Sequence, residues 1–213
     1  MKIALIGATG FVGSEVLKEL LSRGHQVTAL ARSPEKLAGQ LGLKVVKADA
    51  LDAAQVAAAV EGHDAVIDSY NPGWSEPRIH DLFLQGTRAI LDGVKRAGVK
   101  RVLVVGGAGS LFVAPGVQLV DTPHFPAEYK QGALAAREAL NQIRDETSLD
   151  WTFLSPAALL APGPRTGKFR IGAEELLMDG DKPAGLSVAD LAVAIVDEIE
   201  TPKHIRKRFT AAY

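Results

Sequence analysis

The sequence predicts an α/β protein built on a doubly wound parallel sheet with a small C-terminal substrate region. Three observations carry this. Lys2-Ile3-Ala4-Leu5-Ile6 is an apolar run of strand length that breaks into the glycine-rich turn Gly7-Ala8-Thr9-Gly10-Phe11-Val12-Gly13. The segment after the turn, Ser14 to Ser22, belongs with Val12, Val16, Leu17, Leu20 and Leu21, the helical spacing of one buried face. Farther on, strand-like and helix-like segments alternate, and Val99 to Val105 is nearly all apolar, as a parallel strand covered on both faces requires.

A strand, a glycine turn and a helix in that order begin a βαβ unit. Such a turn aims free backbone N–H groups and the positive end of the helix at one spot, which suits a diphosphate. Gly7 allows the tight turn, Gly10 lets the backbone approach phosphates, and Gly13 lets the helix lie close on the strand. Thr9, Phe11 and Val12 complete the expected cradle. A purely structural glycine turn is the competing reading; the strand ahead and helix behind favour a dinucleotide site.

Composition narrows the classes. The chain has 213 residues, 47% hydrophobic and 23% charged, which fits an ordinary globular protein, expected as a single domain over 1–213 with about 155–213 forming the substrate side. A formal net charge of −1 argues against general nucleic-acid binding. No apolar run reaches the roughly 20 residues that span a bilayer. Lys2 followed by an immediate glycine turn does not make a signal peptide, so a cytoplasmic location is expected. There is no cysteine, which excludes disulfides, thiolate nucleophiles and cysteine-ligated metals. A small-molecule substrate is the expected partner; neither nucleic acid nor membrane is, and the sequence leaves the oligomeric state open.

In chain order, Gln26 to Ala31 is a second strand ending in Arg32-Ser33-Pro34. Proteins that bind unphosphorylated NAD place an acid near here for the ribose hydroxyls. None occurs between Val27 and Ser33, whereas Arg32 can pair with a 2′-phosphate and Ser33 can donate to it. A solvated arginine in a surface turn is the alternative; the position favours NADP over NAD. Glu35 to Leu41 reads as a short helix, and Leu43 to Ala48 as a third strand ending at Asp49-Ala50. Asp52 should cap a helix through Val60 whose inner face is Val56, Ala59 and Val60. After the turn 61–64, Ala65 to Asp68 is a fourth strand whose end, Ser69-Tyr70-Asn71, should face the cofactor. Asp64 and Asp68, like Glu174 and Glu175, read as solvent-facing or strand-end charges.

The loop Asn71 to Pro77 carries Trp74, either a wall for a flat substrate or a locally packed ring. The helix Arg78 to Ala97 has Ile79, Leu82, Phe83, Gly86, Ile90, Gly93 and Val94 on one face, its glycines suggesting close packing on the sheet. The fifth strand runs into Gly106-Gly107-Ala108-Gly109-Ser110, a backbone-rich edge to the crevice. Leu111 to Glu128, with three prolines and no clear period, reads as a lid loop with His124 and Phe125 at its far end. Tyr129 to Glu146 is a helix and Leu149 to Leu154 a sixth strand followed by Ser155-Pro156. A hairpin is expected about Lys168 to Ile171, then a helix from Val188 to Glu200 with Ser187 and Asp190 as a capping box, and a last strand Arg208 to Ala212. The histidines show no metal-ligand spacing, so no metal site is expected.

Gly7 to Gly13, Val104 to Leu111, Asp150-Trp151-Thr152-Phe153-Leu154-Ser155-Pro156-Ala157, Thr166-Gly167-Lys168-Phe169 and Ser187 to Ala192 together resemble the short-chain dehydrogenase/reductase superfamily. Within it, the chain resembles the atypical group named NADH-flavin reductases, allied to NmrA-like proteins. The resemblance spans essentially the full length. It implies a Rossmann fold binding NAD(P), with Asp49 at the place where that superfamily holds the adenine amino group, Ala50 beside it, and Ser110 near the place of its catalytic serine. Most members pair a Tyr with a Lys four residues on. Here the position after Tyr70 at that spacing is Trp74, after Tyr129 it is Ala133, and Tyr213 has none. Tyr129-Lys130 begins the helix that carries the pair elsewhere, either as catalytic groups or as a surface first turn. The expectation is hydride transfer from NADPH to a flat acceptor such as a flavin or quinone. A non-catalytic NADP-sensing regulator and an epimerase/dehydratase-like enzyme are the alternatives the resemblance leaves open.

Overall fold

The structure is a computed structural model that describes residues 1–37 and 39–213. One eight-stranded sheet organises it. In chain order its strands are β1 (Lys2–Ile6), β2 (Gln26–Ala31), β3 (Leu43–Lys47), β4 (Ala65–Asp68), β5 (Arg101–Val105), β6 (Asp150–Ser155), β7 (Arg170–Gly172) and β8 (Lys207–Ala212). Their spatial order is β7-β8-β6-β5-β4-β1-β2-β3, all parallel except β7. The order reverses between β1 and β4, and at such a switch the carboxyl ends of the strands open a crevice.

Side-chain alternation along the strands makes two cores. Ile3 and Leu5 of β1 join Ile67 and Leu103 under α1 (Phe11–Ser22) and α5 (Val188–Glu200). Ala4 and Ile6 join Val66, Val102, Val104 and Phe153 under α2 (Ala53–Val60), α3 (Ile79–Arg96) and α4 (Ala127–Ile143). All of β5 is buried, as a strand with helices on both faces must be. Asp52 caps α2 as expected, accepting from the amides of Ala54 and Gln55.

Several expectations are corrected. The helix read at 35–41 is a single 3-10 turn at Pro34–Lys36, and Leu41 is fully exposed; Ala38 lies outside the described residues. Gly39 and a left-handed Gly42 (φ +83°) leave no room for a second turn. The segment 111–128 is not an unstructured lid. A ribbon of Phe112–Ala114 and Val117–Gln118 turns at Gly116, and Leu111 and Val120 are buried. The Phe112 amide donates to Glu174 O and its carbonyl accepts from Leu176, tying the ribbon to the C-terminal region. The hairpin about 168–171 is absent: Arg170–Gly172 pairs antiparallel with β8. The capping box is half formed, since Ser187 Oγ accepts from the Asp190 amide at 3.0 Å while the Asp190 carboxylate turns elsewhere. It accepts from the amides of Thr166 and Gly167 and from the hydroxyls of Thr166 and Tyr213. The glycines of α3 do not pack on the sheet: a Cβ on Gly93 would meet Val56 of α2 at 2.7 Å, and one on Gly86 the Tyr70 ring at 2.3 Å. Leu84 is buried where Leu82 was expected, and Leu82 is half-buried.

Candidate functional site: a dinucleotide crevice

The crevice begins at the turn after β1. Gly7 holds φ +82°, and a Cβ there would lie 2.4 Å from Ser69 O, so glycine is required twice over. Gly13 sits on the turn itself, its missing Cβ only 2.0 Å from Gly7 O. Gly10 is different. It is exposed, bonds its amide to Gly7 O at 2.9 Å, and a Cβ would touch only that oxygen at 3.3 Å. A side chain at Gly10 would be tight against that one backbone oxygen and otherwise project into the open space above the turn. Gly10 also caps α1 with no side-chain hydrogen bond and no acid in the first turn, leaving the positive helix end open. Thr9 and Phe11 are exposed beside it, and Val12 is half-buried.

On the β1–β2–β3 side, Arg32 is exposed at the end of β2 and Ser33 is half-buried. Asp49, after β3, accepts from the Leu51 amide at 3.0 Å, and Ala50 is half-buried beside it. Ser69 Oγ donates to Ile6 O at 2.7 Å, locking the end of β4 to β1 under the turn. Tyr70 lays its ring on Gly86. Burial pushes the Tyr70 phenol up; the neighbouring Arg32 opposes this, while Asp49, Asp68 and Glu76 add to it.

Asp68 differs from its expected reading. It does end β4, but it is 2% exposed, and its carboxylate receives the Tyr70 amide at 2.9 Å. Burial pushes it up to about 7, against the pull of that single hydrogen bond. The sequence signal was present, an ionisable group closing an apolar strand, but burial is a tertiary fact.

The β4–β5–β6 side is lined by backbone. A Cβ on Gly106 would fall 2.1 Å from the Phe153 ring, and one on Gly107 3.3 Å from Ala136 of α4. Ser155 is buried at the end of β6, its Oγ without a hydrogen-bond partner among the described residues, and Pro156 is half-buried. Asn71 turns its Oδ1 to the Gly73 amide at 2.7 Å. Trp74 meets Tyr129 edge to face, ring centres 5.2 Å apart. His124 is exposed and Phe125 half-buried on the way into α4.

Residues 7–200 match the NAD(P)H-binding family NAD_binding_10. The chain belongs to that family. Three solved structures align with it over its whole length. One from Burkholderia pseudomallei, provisionally named an exported protein, is 50% identical with a TM-score of 0.90 and all of its chain covered. A provisionally named epimerase from Bacteroides thetaiotaomicron is 46% identical, TM-score 0.93, with 96% covered. A provisionally named NADH-flavin reductase from Streptococcus pneumoniae TIGR4 is 33% identical, TM-score 0.86, with 99% covered. The Rossmann α/β architecture and the short-chain dehydrogenase/reductase resemblance both hold. The chain is thus an NAD(P)H-binding member of an oxidoreductase- and epimerase-like group. Among the described residues no helix is long and apolar enough to cross a membrane.

An NAD(P)H-binding protein must leave room for a diphosphate at the first turn, and the open space at Gly10 and the uncapped α1 fit that group. The catalytic reading of Ser110 does not survive. It is 1% exposed, and its Oγ and carbonyl both receive Arg208, whose other nitrogen binds Glu174. The hydroxyl is thus engaged by Arg208 inside the protein. Tyr129 and Lys130 lie exposed in the first turn of α4, with Ala133 four residues after the tyrosine. Arg208 and Gly86 were not singled out for these roles from the sequence; for Gly86, a glycine inside a strongly helical segment is the available signal.

Proposed function

We propose that the protein transfers hydride from NADPH to a flat, conjugated acceptor such as a flavin or quinone. The observation that carries this is the missing proton relay: Tyr129 has no lysine partner, and Ser110 is buried against Arg208. Reduction of a carbonyl needs a proton delivered at the reacting oxygen. A flavin or quinone accepts hydride to give a delocalised anion that water can protonate, so the protein need supply only proximity and orientation.

The residues divide the work. Gly7, Gly10 and Gly13 with the amino end of α1 would hold the diphosphate. Arg32 and Ser33 would meet the 2′-phosphate, and the absence of any acid from Val27 to Ser33 supports NADPH over NADH. Gly106, Gly107, Ser155 and Pro156 border the opposite half. Bound there, the reduced nicotinamide supplies the hydride.

The test is NADPH and NADH oxidation measured against flavins, quinones and aldehydes. NADPH turnover with flavin or quinone but not aldehyde is expected. Turnover with aldehydes alone overturns the proposal, and tight NADP(H) binding without turnover on any acceptor replaces it with a sensing role.

A further inference from the structure

Trp74 and Tyr129 come from different elements, the β4–α3 loop and the first turn of α4, and meet on the β4–β5–β6 half of the crevice. Their planes stand at 84°, an arrangement that favours attraction between ring edge and ring face. The benzene part of the indole rests on Gly132: a Cβ there would lie 2.6 Å from Trp74 Cζ3 and 3.1 Å from Ile79 Cδ1. Only glycine at 132 lets the ring sit so close to α4. Next to Gly132 and one turn on from it, Ala133 and Ala136 approach the β5-end turn at Gly109 and Gly107, which ties the shelf to the edge of the crevice. Despite this seating, Trp74 is 55% exposed and Tyr129 45% exposed, an unusual amount of fixed aromatic surface to leave in water.

We infer that Trp74, propped by Tyr129 and seated on Gly132, is the acceptor-binding shelf and selects planar conjugated rings. This rests on the reductase reading for its purpose but not for its test. Tyr129 is then a positioning residue: its ring, not its hydroxyl, holds the indole.

The test is binding to the cofactor-free protein, using a water-soluble naphthoquinone sulfonate as probe and hexanal as the non-planar control. Trp151, the second tryptophan, is 3% exposed and shielded from contact, so the difference in quenching between the native protein and Trp74→Ala reports Trp74. Saturable quenching by the quinone and none by hexanal is expected. By calorimetry, Trp74→Ala should weaken quinone affinity at least tenfold while NADPH affinity stays within twofold of native. Gly132→Val, which must lift the indole from its seat, should do the same and serves as the second variant if Trp74→Ala folds poorly. Tyr129→Leu should weaken binding several-fold. Non-saturable quenching, or quinone affinity within twofold of native in both Trp74→Ala and Gly132→Val, overturns the assignment. Saturable binding without NADPH turnover would leave the shelf standing and sink the reductase; turnover unaffected by either variant would do the reverse.

Discussion

Asp68→Asn separates an effect of burial from one of charge. The carboxyl of Asp68 is pushed up to about 7 by burial in the folded protein, whereas in an unfolded chain it titrates near 3.9. Between those values the folded state binds more protons than the unfolded state, so stability falls as pH rises. The slope approaches about 1.4 kcal/mol per pH unit and levels off above the folded value, for a total on the order of 4 kcal/mol. Asparagine keeps an acceptor for the Tyr70 amide but cannot ionise. The stability of Asp68→Asn relative to native should therefore grow by about 2–3 kcal/mol between pH 5 and pH 8. Urea denaturation of both proteins at unit pH steps measures this, provided the m-values agree. A constant offset would reflect only how well the amide packs. A difference that does not change with pH refutes the reasoning, because it would mean that the carboxylate is hydrated or paired in the folded state.

Other residues of the crevice give separable outcomes. Gly10→Val should abolish measurable NADP(H) binding by calorimetry while leaving the thermal transition within a few degrees, since the site is exposed and a Cβ meets only Gly7 O. Gly13→Ala should instead unfold or grossly destabilise the protein, its Cβ falling 2.0 Å from that same oxygen. Arg32→Ala should remove most of a preference for NADPH over NADH, roughly 10- to 150-fold for one charge-assisted hydrogen bond; equal native affinity for both cofactors rules the idea out. Tyr129→Phe and Lys130→Ala should each leave turnover within about tenfold of native, against the 100- to 10,000-fold expected for loss of a general acid. A thousandfold loss in Tyr129→Phe with normal NADPH binding would restore a tyrosine-centred carbonyl mechanism.

What was legible in the sequence was local. The jobs of Gly7 and Gly13 follow from a strand and a helix a few residues apart, and both are met by contacts within that unit or with the adjoining Ser69. Asp52 caps α2 through amides two and three residues away. The helix read at 35–41 fails for a local reason, the glycines at 39 and 42, whereas the other main misreadings concern partners distant in sequence. Phe112 finds its hydrogen bonds at Glu174 and Leu176, and Arg170 pairs with Ala212, so neither segment shows a period of its own. Ser110 follows β5 in the turn Ala108–Ser110, but Arg208, which claims its hydroxyl, lies 98 residues on. Residue type and spacing carry no record of such pairings.

Two glycines show how local cost and distant purpose meet. Gly86 lies inside α3 and Gly132 inside α4, each less favourable than alanine by about 1 kcal/mol in a helix interior. Neither adopts a positive φ, so backbone conformation does not require them. Each instead lies directly under one aromatic ring of the crevice: Tyr70 rests on Gly86, and Trp74 on Gly132. Alanine would keep either helix and displace its ring. Both rings follow β4, Tyr70 at its end and Trp74 in the loop beyond, where it meets Tyr129 of the first turn of α4. The helices thus give up intrinsic stability at the two points where an aromatic ring is seated directly against them.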